Sequence, residues 1–284
     1  MPQTERIPSE LFHFAYCGAF DEEVAQLAEL AAPERWQTSP ESKPFDILHS
    51  YIYHTFKKLS QDYNAATTRE ERDMIIQINE KHQKCCFNTG LFTSKYESIY
   101  AFFEENKNEG KQPWYLVGFL KESNPQLAPF KTLPERPKYF SDTSVLIYDP
   151  RLPIRANKDH ILGDPENIKR LPAKYRDNEV LLNNLFIGAV KMAETKVSAN
   201  YRLAIPQYFN GRIQLLIPLT FDSDKVDIAL AIEREDDIYK ARTCLTLDMA
   251  YNNARLLVKP DVNWITTGKI KQDDSAHDEK VEYI

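Results

Sequence analysis

Glycine is the residue that most restricts this chain. Only eight occur among 284 residues, well below the roughly 7% of an average protein. Each stands alone: Gly18, Gly90, Gly110, Gly118, Gly163, Gly188, Gly211 and Gly268. Loops that wrap phosphate with backbone N–H groups need clustered glycines, because only a residue without a side chain lets the chain approach so closely. Neither G-x-G-x-x-G nor G-x-x-x-x-G-K-[ST] occurs. A glycine-loop dinucleotide fold and a P-loop NTPase are therefore not expected. Any phosphate site must use side chains presented from a sheet face. Gly90 and Gly211 draw interest, since each falls at a strand position beside a polar cluster.

Other classes fall away on composition. Hydrophobic residues at 42% and charged residues at 27% suit a packed globule rather than a disordered chain. No apolar run approaches the ~18 residues that span a bilayer, and the segment Met1–Glu10 lacks the apolar core of a secretion signal. Cys17, Cys85, Cys86 and Cys244 form no C-x-x-C pair, so free buried thiols in a reducing cytoplasm are expected. No membrane partner is expected. The net charge of −6 is uneven. Residues 151–259 carry a mild basic excess and the flanks are acidic. A polyanion would bind in that middle stretch.

Periodicity predicts the elements. Helices are expected over Asp21–Ala31, Asp46–Leu59 and Arg69–His82, where apolar residues recur at helical spacing. Strands are expected at Cys86–Thr93, Ser98–Phe103 and Trp114–Leu120, separated by polar turns. Four prolines in Pro125–Pro137 argue for irregular chain. Val145–Tyr148 and Leu152–Ile161 read as short strands. The clearest helix is Asp177–Ala199, with Leu181, Leu182, Leu185, Phe186, Ala189, Met192, Ala193 and Val197 on one stripe. Strands follow at Arg212–Phe221, Val226–Arg234 and Ile238–Leu247. A short turn or helix over Ala250–Ala254 then leads to a last strand, Arg255–Lys259. Hairpin connections imply a mainly antiparallel sheet or sheets. The expected fold class is α+β, with N-terminal helices and the long helix of about 177–199 packed on the sheet. One large domain is expected over 1–265, helical from 10 to 83 and β-rich from 84 to 265. Residues 266–284 read as a disordered acidic tail.

The strongest chemical signal lies in Val226–Asp248. A four-residue loop at 234–237 would pair Ile232 with Tyr239, Ala231 with Lys240 and Ala229 with Arg242. Long cations would then stand opposite alanines, leaving room above the sheet for a ligand. An ordinary solvated face would have the same pattern. Beyond it, Asp248, Asn252, Asn253 and Arg255 lie within eight residues. The amides suit base edges and the arginine suits phosphate, although such amides also cap local turns. Tyr201–Gln214 mixes aromatics with Arg202, Arg212 and Gln214, as base stacking with phosphate contact requires. Arg155 belongs to a further polar cluster with Asp159 and His160. That pair suits general acid–base chemistry, but on a regular strand the two side chains would point to opposite faces. Asn88-Thr89-Gly90 suggests a bulge or a close approach to backbone. His49 and His54 are five apart, the wrong spacing for two ligands on one helical face. No metal site and no particular cofactor is indicated.

Several segments resemble a bacterial domain of unknown function. They are Leu11-Phe-His-Phe-Ala-Tyr16, Cys86-Phe-Asn-Thr-Gly-Leu91, Gln112-Pro-Trp-Tyr115, Asn157-Lys-Asp-His-Ile-Leu162, Ile205-Pro-Gln-Tyr208, Arg212-Ile-Gln-Leu-Leu216 and Thr243–Arg255. The resemblance covers roughly 9–265. Members often stand beside LOTUS/OST-HTH and cold-shock modules, which bind RNA. The resemblance therefore implies an RNA-related setting, alone or with a separate RNA-binding partner protein. It carries no catalytic residues.

The leading expectation is an RNA-associated protein that binds RNA or a nucleotide on a polar sheet face. Arg212, Lys240 and Arg242 would meet phosphate, and Gln214, Asn252 and Asn253 base or ribose, with Arg155, Arg202 and Arg255 as further ligand-binding candidates. A second reading is an enzyme on RNA ends or a nucleotide-like phosphoester, with His160 as acid/base and Asp159 or Asp248 as carboxylate. A third is an interaction module of a stress or defence complex.

Overall fold

The computed structural model describes residues 6–108, 112–260 and 264–265. The expected acidic tail, 266–284, lies outside them. The chain begins with α1 (Leu11–Phe14), β1 (Ala15–Tyr16), α2 (Phe20–Leu30), α3 (Asp46–Ala65) and α4 (Arg69–Asp73). Strands β2 (Ile76–Asn79), β3 (Lys84–Phe92), β4 (Ser98–Glu105) and β5 (Trp114–Lys121) follow. They form a five-stranded sheet in the order β1-β5-β4-β3-β2, in which only β1–β5 is parallel.

The second sheet opens with β6 (Ile154–Arg155). Four helices come next: α5 (Lys158–Gly163), α6 (Pro165–Arg170), α7 (Ala173–Arg176) and α8 (Glu179–Ala199). Then come β7 (Ile205–Phe209), β8 (Arg212–Leu219), β9 (Ile228–Glu235), β10 (Ile238–Leu245) and α9 (Leu247–Arg255). The strand order is β6-β10-β9-β8-β7, again with one parallel pair, β6–β10. The fold is α+β, as its hairpins predict: two mixed, mostly antiparallel sheets, N-terminal helices and the long α8.

Both sheets contribute to one apolar cluster. It joins Ile47, Leu48, Ile52 and Phe56 of α3 to Phe87 and Phe103 of the first sheet. Leu216, Ala229 and Ala231 of the second sheet complete it with Ala250, Tyr251 and Ala254 of α9. The other face of the second sheet carries Leu215, Ile217, Leu230 and Ile232. There α8 lays down Leu182, Phe186, Ala189, Ala193 and Val197, with Leu185 packed beside them, whereas Leu181 and Met192 of the expected stripe are exposed. Each large side chain so buried contributes about 1.5–3 kcal/mol of hydrophobic stabilisation. The proline-rich segment covers the outer face of the first sheet, where Leu127 and Phe130 meet Cys86, Tyr100 and Phe102. Adjacent strand residues face opposite ways. Cys85 therefore points into the shared cluster and Cys86 under the proline-rich segment. Burial pushes both thiols above the ordinary cysteine range.

The structure differs from the sequence reading at several short elements. Arg69–His82 is not one helix. A capping box between Thr68 and Glu71 starts α4. The chain then straightens, and Ile76 and Ile78 pair with Phe87 and Cys85. Val145–Tyr148 is not a strand, since Thr143–Leu146 is a 3-10 turn capped by Asp142. Leu152–Ile161 is divided: β6 has two residues, and Asn157 caps α5 immediately afterwards. Arg255–Lys259 is no strand, because α9 extends to Arg255.

Candidate functional site

The site begins with a turn. Asp236 adopts a left-handed conformation, φ +49°, which aspartate tolerates better than most residues. That closes the β9–β10 hairpin with two residues, Glu235 facing Ile238, rather than the four expected. The register therefore moves by two. Lys240 stands opposite Glu233 and Ala241 opposite Ile232; past a bulge the offset grows to three, with Ala231 opposite Thr243. Arg242 falls at a bulge between Ala241 and Thr243. Ala229 and Ala231 do not leave room for a ligand, since both are fully buried in the cluster shared by the sheets.

The two-residue shift assembles a polar row instead. Gln207 of β7 faces Gln214 of β8. Gln214 reaches Glu233 of β9. Glu233 faces Lys240 of β10, and Lys240 faces Arg155 of β6. One residue from each strand contributes. The amide end is buried, with Gln207 at 1% and Gln214 at 7% exposure, whereas Lys240 and Arg155 are exposed.

Hydrogen bonds run along the row toward Glu233. Asn253 of α9 donates Nδ2–H to Gln207 Oε1 at 3.1 Å, and Gln207 donates to Gln214 Oε1 at 2.8 Å. Gln214 donates to Glu233 Oε2 at 3.2 Å. Arg212 reaches Oε1 at 2.8 Å and Arg242 reaches Oε2 at 2.9 Å. Arg242 also pairs with Glu235, from which Lys240 Nζ lies 3.7 Å. Burial pushes the Glu233 carboxyl up. The bonds from Arg212, Gln214 and Arg242 outweigh that and hold it below its usual range. Three cations, Arg212, Lys240 and Arg242, thus gather at two carboxylates, and Arg155 stands beside Lys240 on the neighbouring strand. Arg212 further lines a cavity of about 370 Å³, as do Arg234 and Asp142.

The remaining sequence candidates lie elsewhere. Asp159 and His160 occupy exposed positions on α5, where Asn157 Oδ1 accepts the His160 backbone N–H at 3.2 Å. The opposite-face argument against the pair does not apply to a helix. Arg202 is exposed on a 3-10 turn, Tyr201–Leu203. Asp248 opens α9, exposed. Partial desolvation and the charge of Asp46 push its carboxyl up, against the pull of Arg35. Asn252 donates to the Asp248 carbonyl at 3.2 Å, a bond within its own helix.

Arg255 is engaged internally. Its Nε and Nη2 grip Glu34 at 2.6 and 2.9 Å, and the guanidinium lies over Trp36 and Tyr51. Tyr51 Oη donates to the Thr89 carbonyl at 3.0 Å. The expected feature at Asn88-Thr89-Gly90 is a bulge, since the β3–β4 register breaks between Asn88 and Phe92. What approaches there is a tyrosine: a Cβ on Gly90, at φ +79°, would stand 2.7 Å from Tyr51 Oη.

Sequence reasoning missed Glu233, Gln207, Arg234 and Glu34. For Glu233 a signal existed: a carboxylate continues the apolar run Ile228–Ile232 on the buried face of its strand. Among the described residues, no cluster of three His, Cys, Asp or Glu side chains could hold a metal ion. Nor is any helix among them long and apolar enough to cross a membrane.

No curated protein and no solved structure matches this chain. A family model does, across residues 27–264. That span holds the whole second sheet and every residue of the polar row. The chain belongs to the DUF3825 family, a domain of unknown function.

Proposed function

We propose that the polar row is a binding surface for RNA or a nucleotide, with phosphate held by Lys240 and Arg155 at its exposed end and by Arg212 beside Glu233. The supporting observation is that Glu233 and Glu235 orient Arg212, Arg242 and Lys240 rather than leaving them to wander, with Arg155 beside Lys240 on the next strand. Preorganised cations lose less freedom when an anion arrives. Gln214 and Asn253 take a supporting role in this reading. Their side chains hold the row together, and Gln214 is buried.

Fluorescence anisotropy with labelled single-stranded RNA, repeated across a salt series, tests the proposal. The double variant Lys240→Gln/Arg155→Gln removes two exposed cations and leaves the Glu233 bonds in place. Its log–log salt slope should flatten by about 1.4, at about 0.7 per lost phosphate contact on a single strand. An unchanged slope, or no measurable binding by the unaltered protein, would sink the assignment.

A further inference from the structure

A second cavity, about 660 Å³, is not on the second sheet. It opens at one end of the first, between the segment Arg6–Pro8, α4, Glu105 at the end of β4, and Pro113 and Trp114 at the start of β5. Its size lies within the range of small-molecule sites. Tyr63 and Trp114 give it aromatic walls, and Ile78 a greasy floor. Its polar lining is balanced: Arg6, Arg69 and Arg72 against Asp73, Glu80 and Glu105. Three cations matched by three anions disfavour a polyphosphate. They favour a neutral ligand with acceptors on one edge and donors on another.

Arg72 sharpens the choice. Its guanidinium lies over the Tyr63 ring, 5.6 Å from the centroid, and Nη2 donates to the Ala66 carbonyl at 3.0 Å. Its Nε is sealed from solvent with no partner among the described residues. A buried unmatched donor is costly. Arg72 lines the cavity with that N–H still unmatched. Arginine matches a planar pair of acceptors, and carboxylates match ring N–H and amino donors. Guanine carries both: O6 and N7 as acceptors, N1–H and the 2-amino group as donors. Its flat ring suits the aromatic walls.

We propose that this cavity is a guanine-base site, occupied by free guanosine or by an unpaired guanine of RNA. It is separate from the polar row and does not rest on that reading.

Trp114 provides the readout. Titrating the full chain with guanosine should quench tryptophan fluorescence to saturation. Adenosine, cytidine and ribose should bind at least about tenfold more weakly, the discrimination expected of one bidentate base contact. Arg69→Gln, at an exposed side chain, should weaken guanosine at least severalfold. Ile78→Phe fills the cavity and should abolish the quench, with circular dichroism confirming the fold. Lys240→Gln/Arg155→Gln should leave guanosine binding intact. A guanine-containing dinucleotide that binds more tightly than guanosine would assign the site to RNA, and the reverse to the free nucleoside. The proposal is overturned if guanosine fails to bind at millimolar concentration, if ribose binds equally well, or if binding survives both Arg69→Gln and Ile78→Phe.

Discussion

At the scale of single residues, Glu233 decides most. Three donors converge on one carboxylate that is almost closed to water. Removing its charge leaves Arg242 and Arg212 without their counterion and Gln214 with a weaker acceptor. Glu233→Gln should therefore destabilise the protein at neutral pH by about 1–3 kcal/mol, read from the urea midpoint. The pH dependence has a definite sign. The folded carboxyl titrates below its unfolded value. Its contribution is thus complete above the unfolded glutamate pKa of about 4.3. It is lost as pH falls through the lower folded value. The gap between protein and variant should be full at pH 7 and close in strong acid. A gap that widened on acidification would contradict this account.

At the scale of elements, what could be read from sequence depended on length and on redundancy. Helix α8 was legible because five apolar residues recur at helical spacing over 21 residues, with Asn178 placed to cap the start. Asn178→Ala should cost about 1 kcal/mol in thermal unfolding, since Asn178 Oδ1 accepts the Leu181 N–H at 3.0 Å. Strands β8 to β10 were legible by alternation. Their register was not, because a shift of two beside the turn keeps each side chain on its own face, and the bulge at Arg242 that adds one more is not announced by alternation. Only the turn and the bulge distinguish the two pairings, and an aspartate at positive φ is not visible as such in a list of residues. The polar row was therefore seen as parts, Arg155, Gln214, Lys240 and Arg242, but not as a row. Strand β2 was illegible for another reason. Its four residues follow a strong helix start at Thr68, and only tertiary pairing with β3 makes them extended.

At the scale of the molecule, the two sheets share a cluster to which α3, α9 and strands of both contribute. Neither sheet can bury its inner face alone. We propose that residues 6–265 unfold as one cooperative unit. Calorimetry should then show a single transition with equal calorimetric and van't Hoff enthalpies, and two resolved transitions would refute it. The neighbours Cys85 and Cys86 sit at a boundary in this arrangement, one thiol in the shared cluster and the other beneath the proline-rich cover. Alkylating reagents attack thiolates that they can reach, so each thiol becomes reactive only when its own side opens. The pair is a natural two-channel clock. Its labelling rates, separated by peptide mapping, would time the lifting of the cover independently of the parting of the sheets.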